Sequence, residues 1–129
     1  MKRYDPNVAP DPEGWLALDE AKRLAMVADY HRQKRIRVPQ RDLHAATHVI
    51  VENQAALGEE LPVRRTIERL IGEGLDRHEA VHAVGCILME QLSALMQDGS
   101  SAEFNTPLYC ARLETLTVES WRSDFGEPD

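Results

Sequence analysis

Asp76-Arg77-His78-Glu79-Ala80-Val81-His82-Ala83-Val84-Gly85-Cys86-Ile87-Leu88-Met89-Glu90-Gln91-Leu92-Ser93-Ala94-Leu95 is the stretch that decides the fold. It opens with Asp76 and Glu79 at capping-box spacing, where the aspartate accepts from the Glu79 amide while Glu79 reaches back. Val81, Val84, Leu88, Leu92 and Leu95 then recur at helical intervals with no proline among them. The spacing predicts one long helix over about 76–97.

Working outward from it, Val63, Ile67, Leu70 and Ile71 give the same period, with Pro62 placed as a first-turn proline and Gly72-Glu73-Gly74 as a stop. Leu43, Ala46, Ile50 and Leu57 line a helix over about 40–57 that ends at Gly58. Further upstream, Asp19 caps a helix over about 19–35 carrying Ala21, Leu24, Val27, Ala28 and Tyr30. The basic end of that helix, His31, Arg32, Lys34, Arg35 and Arg37, is accounted for by cations at a helix C-terminus, with an anion site as the other reading, and Val38-Pro39 stops it.

Downstream, 98–105 is expected as loop and Thr106-Pro107 as the start of a last helix to about 121, although Thr115, Thr117 and Val118 are β-branched. Pro6, Pro10 and Pro12 leave 1–14 without a helical period, an extended arm pinned by Trp15 and Leu16. The expectation is an all-α bundle of four to five helices over 15–122, with that arm before it and a flexible acidic tail, 123–129, after it.

Composition agrees with helix over sheet. The 129 residues carry 43% apolar and 29% charged side chains with only 5% aromatics, enough for one domain with a real core. A formal charge of −7 argues against nucleic acid as a partner, whose footprint would be a basic stripe. Cys86 and Cys110 form no paired framework, and no apolar leader or membrane-length run is present. The location expected is cytoplasmic, with no membrane partner.

Four of the five histidines fall in two i,i+4 pairs, His44/His48 and His78/His82. On a helix that spacing stacks both imidazoles on one face, and each pair lies at the border of its helix's apolar stripe. Two helices packed by those stripes would merge the pairs into one site. Neutral imidazoles suit a divalent transition metal, zinc or iron above all. Glu52 continues the His44/His48 ridge by a turn and is the oxygen ligand expected. Asp76 and Glu79, with Asp42, are candidates to orient an imidazole from behind. Cys86, a turn beyond His82, is taken as a small buried hydrophobe before a soft ligand.

His78-Glu79-Ala80-Val81-His82 is also a literal H-E-x-x-H, the zinc-protease helix in which the glutamate activates water. Its extension would put a third histidine at Leu88, leaving only Glu103, Glu114 or Glu119 for that duty, and Glu79 already has a capping role. A metallohydrolase is therefore a minor alternative. His48-x-x-x-Glu52 followed by His78-x-x-x-His82 echoes the hemerythrin pattern of di-iron bundles, but that family's last His-x-x-x-x-Asp segment is missing. The alternative of another class is a metal-free helical interaction module, with a homodimer or other homo-oligomer mediated by the arm.

The chain from His44 through Ala83 resembles a small family of uncharacterised bacterial proteins, a domain of unknown function. The residues that carry the likeness are His44-Ala45-Ala46-Thr47-His48, Val51-Glu52-Asn53-Gln54, Glu68-Arg69-Leu70 and Gly74-Leu75-Asp76-Arg77-His78-Glu79-Ala80-Val81-His82-Ala83, joined upstream by Trp15–Glu20 and Tyr30-His31. The resemblance implies a helical bacterial protein, brings no activity with it, and adds Asn53 and Arg77 to Glu52 and Glu79 as site candidates.

Overall fold

The computed structural model describes residues 3–37, 40–98 and 103–125. Among these there is no strand, and seven helices follow one another: α1 Pro12–Ala17, α2 Glu20–Gln33, α3 Arg41–Ala56, α4 Val63–Gly72, α5 Arg77–Asp98, α6 Thr106–Thr115 and α7 Val118–Phe125. The described residues are all-α, with seven helices where four to five were expected. The proposed Val38-Pro39 stop and residues 126–129 of the acidic tail lie outside the described residues, as do 99–102 of the expected loop.

Both additional helices have local causes. Asp11 accepts from the Gly14 amide at 2.9 Å and Pro12 takes the first helical position, so the end of the arm coils into α1. Trp15 on that helix is fully buried, and its indole donates to Asn53 Oδ1 at 2.8 Å, whereas Leu16 stays 39% exposed. The expected last helix breaks at Leu116-Thr117. Thr117 and Ser120 exchange hydrogen bonds through their hydroxyls and amides at 3.0 Å, capping a new helix. Arg69 of α4 donates to the carbonyls of Leu113 and Leu116 at 3.0 and 2.5 Å, satisfying the C-terminal end of α6. Thr117, a poor helix interior, is thus an N-cap.

The α5 start has the capping box in full: the Asp76 amide donates to Glu79 Oε1 at 3.1 Å and the Glu79 amide to Asp76 Oδ1 at 2.7 Å. Beyond it α5 is buried on much of its circumference, through Ala80, Val81, Ala83, Val84, Ile87 and Leu88. It packs on α3, α4 and α6. Among the described residues no helix is long and apolar enough to cross a membrane.

The core is two apolar clusters joined through α3. Val51 and Ala55 of α3 belong to the larger, with Ile67, Leu70, Val84, Ile87, Tyr109 and Leu113. Ala45 and Val49 belong to the smaller, with Tyr4, Trp15, Met26 and Val27. At 100° per residue, His48 and Glu52 fall between those two stripes on α3. The seam between the clusters is where the polar side chains are buried.

Candidate metal centre

Five imidazoles meet in that seam. His31 comes from α2, His44 and His48 from α3, and His78 and His82 from α5. The His48 and His82 Nε2 atoms are 3.0 Å apart and those of His31 and His44 are 3.1 Å apart. Ring centroids within the group lie 4.3 Å apart for His78 and His82 and 5.3 Å apart for His48 and His78. The set whose ligand nitrogens all lie within 4.8 Å of one another is His31, His48, His78 and His82. His44 joins through its contact with His31.

His31 is the residue that the basic end of α2 concealed. It is 2% exposed and takes no part in a cationic surface. The signal was its position: Leu24, Val27, Ala28 and His31 fall at i, i+3, i+4 and i+7, on the apolar stripe itself. Its neighbour Arg32 turns outward to pair with Asp29.

Two of the five rings have their protons placed by their surroundings. His31 Nδ1 lies 2.9 Å from the Val27 carbonyl, which only accepts, so Nδ1 carries hydrogen and Nε2 presents its lone pair to the cluster. The second case runs through Tyr4. Its hydroxyl donates to Glu52 Oε2 at 2.5 Å, leaving the phenolic oxygen to accept from His48 Nδ1 at 3.1 Å. His48 Nε2 is thereby also a lone-pair nitrogen facing inward. His78 Nε2 is buried without a hydrogen-bond partner, a costly arrangement unless something else binds it.

Glu52 is 1% exposed. Arg77 Nη2 donates to Oε1 and Nη1 to Oε2, both at 2.8 Å, in a bidentate pair. Nη1 also reaches the Pro6 carbonyl at 2.9 Å, and Asn7 Oδ1 accepts from the His78 amide at 3.1 Å. Both Glu52 oxygens are therefore engaged, and its link to the imidazoles passes through the Tyr4 hydroxyl. The front of the arm is not a free extension: Tyr4 is 3% exposed and packs on Trp15, Tyr30 and His48. Asp76 and Glu79 serve the helix cap beside His78, and Asn53 holds Trp15 and Arg23.

Burial, then repulsion from neighbouring imidazoles, favours the neutral form of His44, His48, His78 and His82. His44 is lowered to about 4 and His82 to about 3, each chiefly by desolvation. His48 is lowered well below the usual range by burial and by His82, His44, His31 and His78. His78 is lowered by burial and His31, with Asp76, Asp5 and Glu79 pulling the other way. Neutral imidazole is the form that ligates a metal, with no proton to displace. Tyr4 is raised by burial and by Glu52, which keeps its hydroxyl a donor.

Comparison with protein-family models, with curated proteins and with solved structures finds no match.

On its other flank the cluster opens. His44, His48 and His82 end a groove of about 840 Å³ running between α3 and α5 toward Trp121 and Phe125 of α7. Cys86 and Cys110 are free thiols. The Cys86 thiol, on the groove wall, is raised by burial despite a hydrogen bond from Trp121, the behaviour of a packing residue and not of a reactive thiolate.

Proposed function

We propose that this chain is a metal-binding helical protein in which His31, His48, His78 and His82 hold a divalent transition metal, zinc or iron, with His44 beside them on the open flank. The observation that carries the reading is the convergence of four ligand nitrogens within 4.8 Å. With metal–nitrogen bonds of about 2.0–2.1 Å, tetrahedral ligands stand about 3.3–3.4 Å apart, and octahedral ones about 2.8–3.0 Å when adjacent and about 4.0–4.2 Å when opposite. Within the four, the His48–His82 separation of 3.0 Å already stands at the spacing of adjacent octahedral ligands. The unpartnered His78 Nε2 and the two inward lone pairs support the same reading.

Glu52 takes an orienting role in place of ligation. It fixes the Tyr4 hydroxyl, which fixes the His48 tautomer, the usual duty of groups behind a ligating histidine. Glu79 is occupied in the α5 cap, which weighs against the water-activating role that H-E-x-x-H would give it.

The test is metal content and titration of untagged protein, stripped and reloaded under anaerobic conditions with zinc, iron(II) or cobalt(II). One equivalent per chain and a raised Tm are expected. His48→Ala/His82→Ala should lower affinity more than about 100-fold, beyond the roughly 10–100-fold that outer partners contribute. His31→Ala should weaken binding more than His44→Ala. Sub-stoichiometric metal in wild type and double variant alike, with unchanged melting, would favour the metal-free module instead.

A further inference from the structure

We propose that the groove between α3, α5 and α7 is a binding site for a small organic monocarboxylate with an apolar, flat or short-chain body, its carboxylate directed at the metal on the groove flank. The inference rests on the metal reading above and adds the class of ligand.

Three observations converge on it. The walls are apolar: Leu43, Val81, Met89, Trp121 and Phe125 face a space of about 840 Å³, well within the size of pockets that enclose small ligands. Its polar end is formed by histidines and not by a closed core, since His44, His48 and His82 line it. Its floor is set by a close approach of α3 to α5, where a Cβ on Gly85 would meet Thr47 Cγ2 at 3.0 Å. A larger residue at 85 would push into the contact that keeps the groove's shape.

Charge selects the head group. Four neutral imidazoles leave a divalent ion its full double charge, which a cluster with His31 and His48 buried disfavours. The nearby carboxylates do not neutralise it from the groove side. Glu52 is held by Arg77, Asp76 and Glu79 cap α5 beside His78, and Glu90, which lines the groove, is held by Arg112 through two bonds at 2.8 and 3.0 Å. An anion entering along the groove supplies the missing charge, and the apolar walls select one with an apolar body.

The experiment uses the full chain loaded with cobalt(II), with 3-phenylpropanoate, acetate and 3-phenylpropanol as probes. Cobalt absorption reports on the coordination shell. Trp121 fluorescence, taken as the difference between wild type and Trp121→Phe, reports on the groove, because Trp15 is buried in the other cluster. The expected result is that 3-phenylpropanoate changes both signals and binds at least tenfold tighter than either acetate or the alcohol. Metal-free protein should bind it at least tenfold more weakly. Leu43→Glu, a change at a residue 43% exposed, should keep cobalt affinity while weakening 3-phenylpropanoate at least fivefold. If cobalt binds stoichiometrically but acetate matches the larger acid, or the alcohol matches it, or neither signal moves, the groove inference is wrong while the metal reading stands. If cobalt does not bind at all, both fall together.

Discussion

The two flanks of the histidine cluster are built on opposite plans. On the arm side, Tyr4, Glu52 and Arg77 close it with a connected set of buried hydrogen bonds, and Pro6 and Asn7 extend the seal. On the groove side, His44 and His82 face apolar walls with no such network. The closed flank sets which nitrogen of His48 carries the proton; the open flank leaves room for something to arrive. Rigid support behind and access in front is the division of labour a ligand-binding centre needs.

Acid should break both flanks at once, and its effect should be the largest. The groups facing one another are His31 from α2, His44 and His48 from α3, and His78 and His82 from α5, with Tyr4, Tyr30, Asp5, Asp76, Glu79 and the Glu52–Arg77 pair around them. His44 and His82 have folded-state values of about 4 and about 3, below the ordinary 6.5. Between those limits the unfolded chain binds more protons, so stability is full above about pH 6.5 and falls as pH drops through the folded values. Thermal melts of metal-free protein from pH 7.5 to 4 should show a steadily falling Tm; a flat profile would mean the rings are not buried neutral.

Glu52→Gln attacks the closed flank alone. It strands the Arg77 guanidinium, itself mostly buried, and should cost about 3–5 kcal/mol in denaturant unfolding, the usual penalty for half of a buried pair. Tyr4→Phe is milder. Losing one hydroxyl should cost about 1–3 kcal/mol and weaken metal about 10–100-fold, since His48 is then free to choose its tautomer. Equal metal affinity in Tyr4→Phe would remove the orienting role. At the bottom of the scale, Arg65→Ala removes the exposed pair with Glu114 and should change stability by less than about 1 kcal/mol, leaving metal binding untouched.

The sequence was most legible where one physical signal acted alone. The α5 start followed from its cap and its apolar period, and the meeting of His48 with His82 followed from two ridges bordering two stripes. It was least legible where two signals overlapped. His31 stood among arginines and lysines, so the charge of its neighbours hid its place on the α2 stripe. Ridge spacing offers Glu52 as a ligand because it names neighbours on one helix and says nothing of the Arg77 guanidinium arriving from another. Tyr4 lay in a proline-rich segment with no period of its own, and only tertiary packing shows that it is core. The Leu116-Thr117 break is local in its Thr117–Ser120 cap, but the Arg69 bonds to the Leu113 and Leu116 carbonyls that complete it are encoded by no local pattern.

The histidine cluster draws on α2, α3 and α5, and the hydroxyl that orients His48 on the arm at residue 4. No single helix or hairpin contains all of these histidines, so the cluster cannot form until His31 and His82, 51 residues apart, have closed on one another. In kinetic terms a metal bound there, as proposed, would be a clock for the end of folding. A cobalt-loaded refolding experiment should see helical ellipticity return first and metal colour last, with Tyr4→Phe delaying only the colour.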